Sequence, residues 1–286
     1  MSRVRLAVHE ALWGPETGRR LLVVHSGLAV LIALRVALGP YRRLAGQPKA
    51  LFDPVPILGW LDHMPGTAVI AALQVVGTLA AIAAASRRWP RQSFAVAWLC
   101  YLVLVGLRGS RGKVLHNDLL LLWTSAAFLL APAAVTWSDR ARRRVNGWPI
   151  RLATIVTALI YFFAGYHKLR RSGIDWVLGD NMRYVMLWGP SVGQAKGQAI
   201  AEWIGQHLVV AKATAAGILG VELTFPFAIF VPKVRPLFAV AAVALHTMTF
   251  VLLGLDYWAW AAAVPLILVD WPAVVDRVHA RRSAVT

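Results

Sequence analysis

Apolar residues run in long blocks along this chain, separated by short polar connections that are rich in arginine. A membrane-crossing helix needs about 20 apolar residues, and the blocks are of that order. The pattern predicts about eight spans, at roughly 21–39, 66–86, 93–107, 115–133, 150–169, 209–231, 236–254 and 257–271. The third and last look short. The longest connection, 170–208, carries DWVLGDNMRYVMLWG and then AIAEWIGQHL at helical period, so it is expected to be amphipathic and to lie as a lid on the membrane surface.

Charge orients these blocks. Arg87, Arg88 and Arg91, the run Arg140 to Arg144, Lys233 with Arg235, and both ends of the sequence are strongly basic. By the excess of lysine and arginine on cytoplasmic loops, residues 1–20 and 272–286 are expected in the cytoplasm and 170–208 outside it. The connection Arg108-Arg111-Lys113 is basic as well and falls outside in this scheme. The expected fold is an all-α, polytopic helical bundle in the cell membrane, with a transmembrane domain over 21–271.

Composition narrows the function classes. Hydrophobic residues make up 58% of the 286, and the net charge is +17. The arginines sit between apolar blocks rather than on one face, so membrane topology accounts for them better than nucleic acid does. The first 20 residues include Glu10, Pro15 and Glu16 and show neither a short apolar core nor a cleavage site. No removable signal peptide is therefore expected. A single cysteine, Cys100, excludes an intrachain disulfide. HExxH, CxxC, phosphate-cradling glycine loops and GxSxG are absent, which argues against a zinc hydrolase, an NTPase or a serine hydrolase.

Ionisable residues inside a bilayer are costly, and each is a candidate for function. In YFFAGYHKL, Tyr161, Ala164, Gly165 and Lys168 fall at i, i+3, i+4 and i+7, on one stripe whose small centre admits a helix or a flat ligand. Lys168 either points with Tyr161 into the bundle or snorkels to the headgroups. His116, Asn117 and Asp118 open the fourth span, and Asn117 or Asp118 could equally be a helix cap. Glu222 interrupts GILGVELTFPF and His246 interrupts AVALHTMTF. A buried carboxylate needs a partner or a proton, and His246 is the partner that the sequence suggests. Arg35 reads as a snorkelling residue. Helical rise puts Lys168 and His246 at depths about 10 Å apart, so they can border one elongated pocket without touching the same atom.

YFFAGYHKL followed by DWVLG resembles the signature of the vitamin K-dependent gamma-glutamyl carboxylase superfamily, whose membrane part is the horizontally transferred transmembrane (HTTM) domain. The similarity extends through His116-Asn117, Glu222 and His246. It implies that Lys168 is the base that deprotonates a reduced naphthoquinone, a vitamin K or menaquinol type of cofactor, without a metal. It also implies that His116 and Asn117 stabilise the quinone oxygen, and that Tyr161, Gly165, Trp176, Glu222 and His246 line its site. His167 stands where the animal enzyme has a second lysine, and Arg170 to Ile174 lengthen the loop before Asp175-Trp176. The expected function is a quinol-linked membrane enzyme. The alternative is a non-catalytic membrane partner in maturation or export of a secreted peptide. Membrane lipids, a quinol and such a peptide are the expected partners, and nucleic acid is not.

Overall fold

The computed structural model describes residues 3–112, 116–192 and 195–283, and Lys113 lies outside them. These residues form fourteen α-helices, several short 3-10 turns and one pair of two-residue antiparallel strands. In chain order the helices are α1 (Arg3–Trp13), α2 (Gly18–Leu38), α3 (Thr67–Ala85), α4 (Pro90–Gly109), α5 (Leu119–Ala126), α6 (Arg144–Ser172) and α7 (Asp175–Leu178). They continue as α8 (Asn181–Val192), α9 (Gln198–Gln206), α10 (Leu208–Thr224), α11 (Phe227–Phe230), α12 (Arg235–Leu253), α13 (Trp258–Leu268) and α14 (Trp271–Ser283). The chain divides into two compact units, one of residues 13–153 with 270–286 and the other of residues 1–12 with 154–269.

In the first unit, α2 starts where the Thr17 hydroxyl accepts from the Arg20 amide at 3.1 Å, and it stops before Pro40. Its buried stripe is Leu21, Val24, Leu28, Ile32 and Val36, the spacing of a helix face. Helix α3 buries Ile70, Gln74, Gly77 and Ala81, while Val69, Val76, Leu79 and Ile82 stay exposed. Gly77 and Ala81 inside with large apolar residues outside is the arrangement that suits a lipid surround. At Gly77 a Cβ would stand 2.8 Å from the Cβ of Cys100, so glycine sets the closeness of α3 to α4. Glu16 ties the base of this unit together, accepting from Arg20 at 2.6 Å and Arg151 at 2.7 Å.

The second unit packs α10, α12 and α13 with the later part of α6. Gly254, in the left-handed conformation with φ +65°, ends α12. The described residues of the connection 170–208 carry α7, α8 and α9. Its amphipathic character is as expected: Met182, Met186, Ala201 and Ile204 bury against Ala211, Ala215 and Leu252 of α10 and α12.

Among the described residues five helices are long and apolar enough to cross a membrane: α2, α3, α4, α6 and α12. Counting the pairs α9/α10, bent by 105°, and α13/α14, bent by 68°, gives up to seven instead of eight separate spans. The expected span at 115–133 is reduced to α5, eight residues or about 12 Å, against an apolar core of about 30 Å. Beyond it the amides of Phe128, Leu129 and Ala131 bond back three residues, and the chain turns towards Pro132. The span at 209–231 ends early because Pro226 cannot continue α10. The third span is longer than expected, since Pro90 occupies the first helical position and extends α4 backwards.

Candidate functional site

The Tyr161–Lys168 stripe of α6 faces the second unit's interior, and each of its polar ends finds a partner there. Lys168 Nζ forms an ion pair with Glu222 Oε1 of α10, so Lys168 does not simply snorkel. The Glu222 side chain is 7% exposed and that of Lys168 is 24% exposed, so the acid is the buried member. Lys168 Nζ also lies 5.4 Å from the ring centre of Trp176, at cation–π distance. Two buried polar atoms beside this pair have no hydrogen-bond partner, Glu222 Oε2 and the Trp176 indole nitrogen.

About two turns away along α6, the Tyr161 hydroxyl and His246 Nε2 share a hydrogen bond of 2.6 Å. The Tyr161 ring stacks on Phe225 at 4.1 Å and meets Trp260 edge-on at 5.8 Å. His246 is enclosed in turn by Tyr257 at 5.4 Å and Trp260 at 5.2 Å. Gly165 is the reason α6 and α10 come this close. A Cβ there would stand 3.0 Å from Glu222 Cβ and 3.1 Å from the Leu223 side chain.

The expected pairing of Glu222 with His246 is thus corrected. The carboxylate takes Lys168 and the imidazole takes Tyr161, because the two pairs sit at different heights on α6. The Lys168–His246 separation inferred from helical rise agrees with this division. Phe225, Tyr257 and Trp260 were not singled out by sequence reasoning. Their contacts to Tyr161 and His246 join separate segments of the chain, although the crowding of Tyr257, Trp258 and Trp260 was a visible signal.

His116 and Asn117 belong to the first unit, in a 3-10 turn before α5, with His116 exposed and Asn117 buried. Their neighbour Asp118 makes no capping bond. Instead its carboxylate accepts from Arg35 Nε at 2.7 Å, Arg108 Nη1 at 3.0 Å and the Tyr101 hydroxyl at 2.9 Å. Arg35 is therefore a buried ion-pair partner rather than a snorkelling residue. Its place three and seven residues from Ile32 and Leu28, on the buried stripe of α2, was the signal for that. Among the described residues no group of three His, Cys, Asp or Glu side chains could hold a metal ion.

A chain built of long apolar helices, with ionisable side chains paired on their inward faces, is a helical membrane protein. The HTTM domain family matches residues 113–271, more than half of the chain, and the chain belongs to that family. No curated protein and no solved structure matches it.

Proposed function

We propose that this HTTM protein is a membrane enzyme in which Lys168 acts as a base on a lipid-soluble quinol, with Glu222 as its proton partner. The observation that carries the reading is the buried Lys168–Glu222 pair with its unused carboxylate oxygen. A proton moving from Lys168 Nζ to Glu222 Oε1 along their hydrogen bond turns the ion pair into a neutral amine and a neutral acid. The freed lone pair on Nζ is what a general base requires.

The residues present fit a reduced naphthoquinone. Trp176 Nε1–H is an unused donor and Glu222 Oε2 an unused acceptor, which match a hydroxylated, flat headgroup. When bound, such a quinol supplies an acidic O–H and two reducing electrons. Tyr161 and His246 hold each other's polar atoms and fix the wall of the site. The roles expected of His116 and Asn117 rest on the resemblance to the carboxylase superfamily.

The test is mass spectrometry of quinones that copurify with the full chain, together with oxidation of added menaquinol. Lys168→Ala should abolish oxidation and Glu222→Gln should reduce it, with His116→Ala and Asn117→Ala assayed alongside. Unchanged oxidation in Lys168→Ala would sink the assignment. The same ion pair also favours a second reading, in which it only fastens α6 to α10 in a non-catalytic partner of a secreted peptide. Copurification of a peptide without any quinone would support that reading instead.

A further inference from the structure

A separate hollow lies in the first unit, beside the end of α2. It is a groove of about 650 Å³ walled by Leu38, Val75 and Leu79, with Arg42 and Arg43 at its mouth. The three apolar walls are 74, 50 and 61% exposed, so no side chain among the described residues covers them. No carboxylate lines the groove, and both arginines are exposed. A hydrophobic trough lined by two exposed guanidinium groups and by no carboxylate is complementary to an amphiphile with an anionic head.

Gln74, at the back of the groove, adds an independent observation. Its Nε2 donates to Val36 O at 2.8 Å and Gly39 O at 3.1 Å, which caps the end of α2 and fixes the orientation of the amide. That leaves Oε1 buried and without a donor, in a residue only 6% exposed. A headgroup bearing hydroxyls supplies the missing donor, while its phosphate answers the arginines. From Gln74 to Leu79 the wall runs about 8 Å along α3, which carries the apolar part of such a molecule away from the head.

We infer that this groove binds an anionic phospholipid whose headgroup carries hydroxyls, with phosphatidylglycerol as its chemical type. The phosphate lies against Arg42 and Arg43, the headgroup hydroxyl reaches Gln74, and an acyl chain lies along Val75 and Leu79. Arg43 also borders a neighbouring hollow with Asp53 and Arg111. Arg42 is therefore the residue dedicated to this groove.

Native mass spectrometry of the full chain in detergent tests this with palmitoyl-oleoyl phosphatidylglycerol and, at equal concentration, the phosphatidylcholine of the same chains. The expected result is a preference for phosphatidylglycerol that Arg42→Gln/Arg43→Gln lowers by about fivefold or more. A second double variant, Arg88→Gln/Arg91→Gln, removes the same net charge elsewhere and should leave the preference intact. Val75→Trp, a change at an exposed position that fills the trough while both arginines remain, should lower phosphatidylglycerol binding too. Equal binding of the two lipids, an equal loss in the two double variants, or full binding by Val75→Trp would each overturn the proposal. So would displacement of the lipid by excess inorganic phosphate, which would make the arginines a simple anion site.

Discussion

The ammonium of Lys168 and the carboxylate of Glu222 form an ion pair between α6 and α10, with the carboxylate almost wholly removed from solvent. Removal of one partner from such a pair leaves a charge that must find a proton or stay uncompensated. Lys168→Met and Glu222→Met are each expected to lower stability by about 3 kcal/mol, the lower end for a buried pair because Lys168 is partly exposed. The double variant Lys168→Met/Glu222→Met should recover most of that loss. Thermal unfolding of the purified protein in detergent measures all three. A double variant as unstable as the sum of the singles would show that the two side chains do not interact.

Tyr161 contributes a ring and a hydroxyl, and the two can be separated. Tyr161→Phe keeps the stack on Phe225 and forfeits the 2.6 Å bond to His246, so it should cost about 1 kcal/mol. Tyr161→Ala also empties a wholly buried ring position and should cost about 3–5 kcal/mol. Equal melting temperatures for the two variants would mean that the ring is not packed as described.

Much of this arrangement was legible in the sequence because it depends on one helix at a time. The stripe Tyr161, Gly165, Lys168 follows from helical period alone, and it does face inward. The partners were not legible, since they depend on which helices are neighbours and at what height. Glu222 was assigned to His246 on the ground that both are polar and deep, but the relative height of α6, α10 and α12 gave it Lys168. Arg35 was misread for a related reason. Its nearness to a helix end suggested snorkelling, whereas its position on the Leu28–Ile32 stripe turns it inward to Asp118. The apolar run at 115–133 was read as one span, because hydropathy counts apolar residues and does not register the tight turns that end α5 before Pro132.

Two glycines on facing helices should respond in opposite ways to the same substitution. At Gly165 an added Cβ meets Glu222 Cβ at 3.0 Å and the Leu223 side chain at 3.1 Å, inside ordinary van der Waals contact, so Gly165→Ala has to push α6 from α10. It is expected to destabilise by about 1–3 kcal/mol and to weaken the Lys168–Glu222 contact. At Gly217 in α10 an added Cβ meets nothing within 4 Å. Gly217→Ala should therefore gain up to about 1 kcal/mol from helix propensity. Melting temperatures of the two variants, measured side by side, check both signs.

Asp118 organises the first unit, and its two oxygens have unequal roles. Oδ1 accepts from Arg35 and from the Tyr101 hydroxyl, while Oδ2 accepts from Arg108. The Arg35 side chain is 5% exposed and that of Arg108 is 19% exposed, so water can replace more of what Arg108 gains than of what Arg35 gains. Asp118→Asn keeps the size of the side chain but turns an amide N–H₂ towards donors and leaves the Arg35 guanidinium buried without its carboxylate. The expected loss is about 3–5 kcal/mol. Arg108→Gln should cost clearly less, about 1 kcal/mol, because a partly exposed pair is screened. Arg35→Lys should behave more like a loss than a conservative change, since Nε and Nη2 both approach Oδ1 and an ammonium cannot reproduce that fork. The order of melting temperatures should be wild type, then Arg108→Gln, then Arg35→Lys, then Asp118→Asn. If Arg108→Gln proves as damaging as Asp118→Asn, Arg108 rather than Arg35 is the principal partner of this carboxylate.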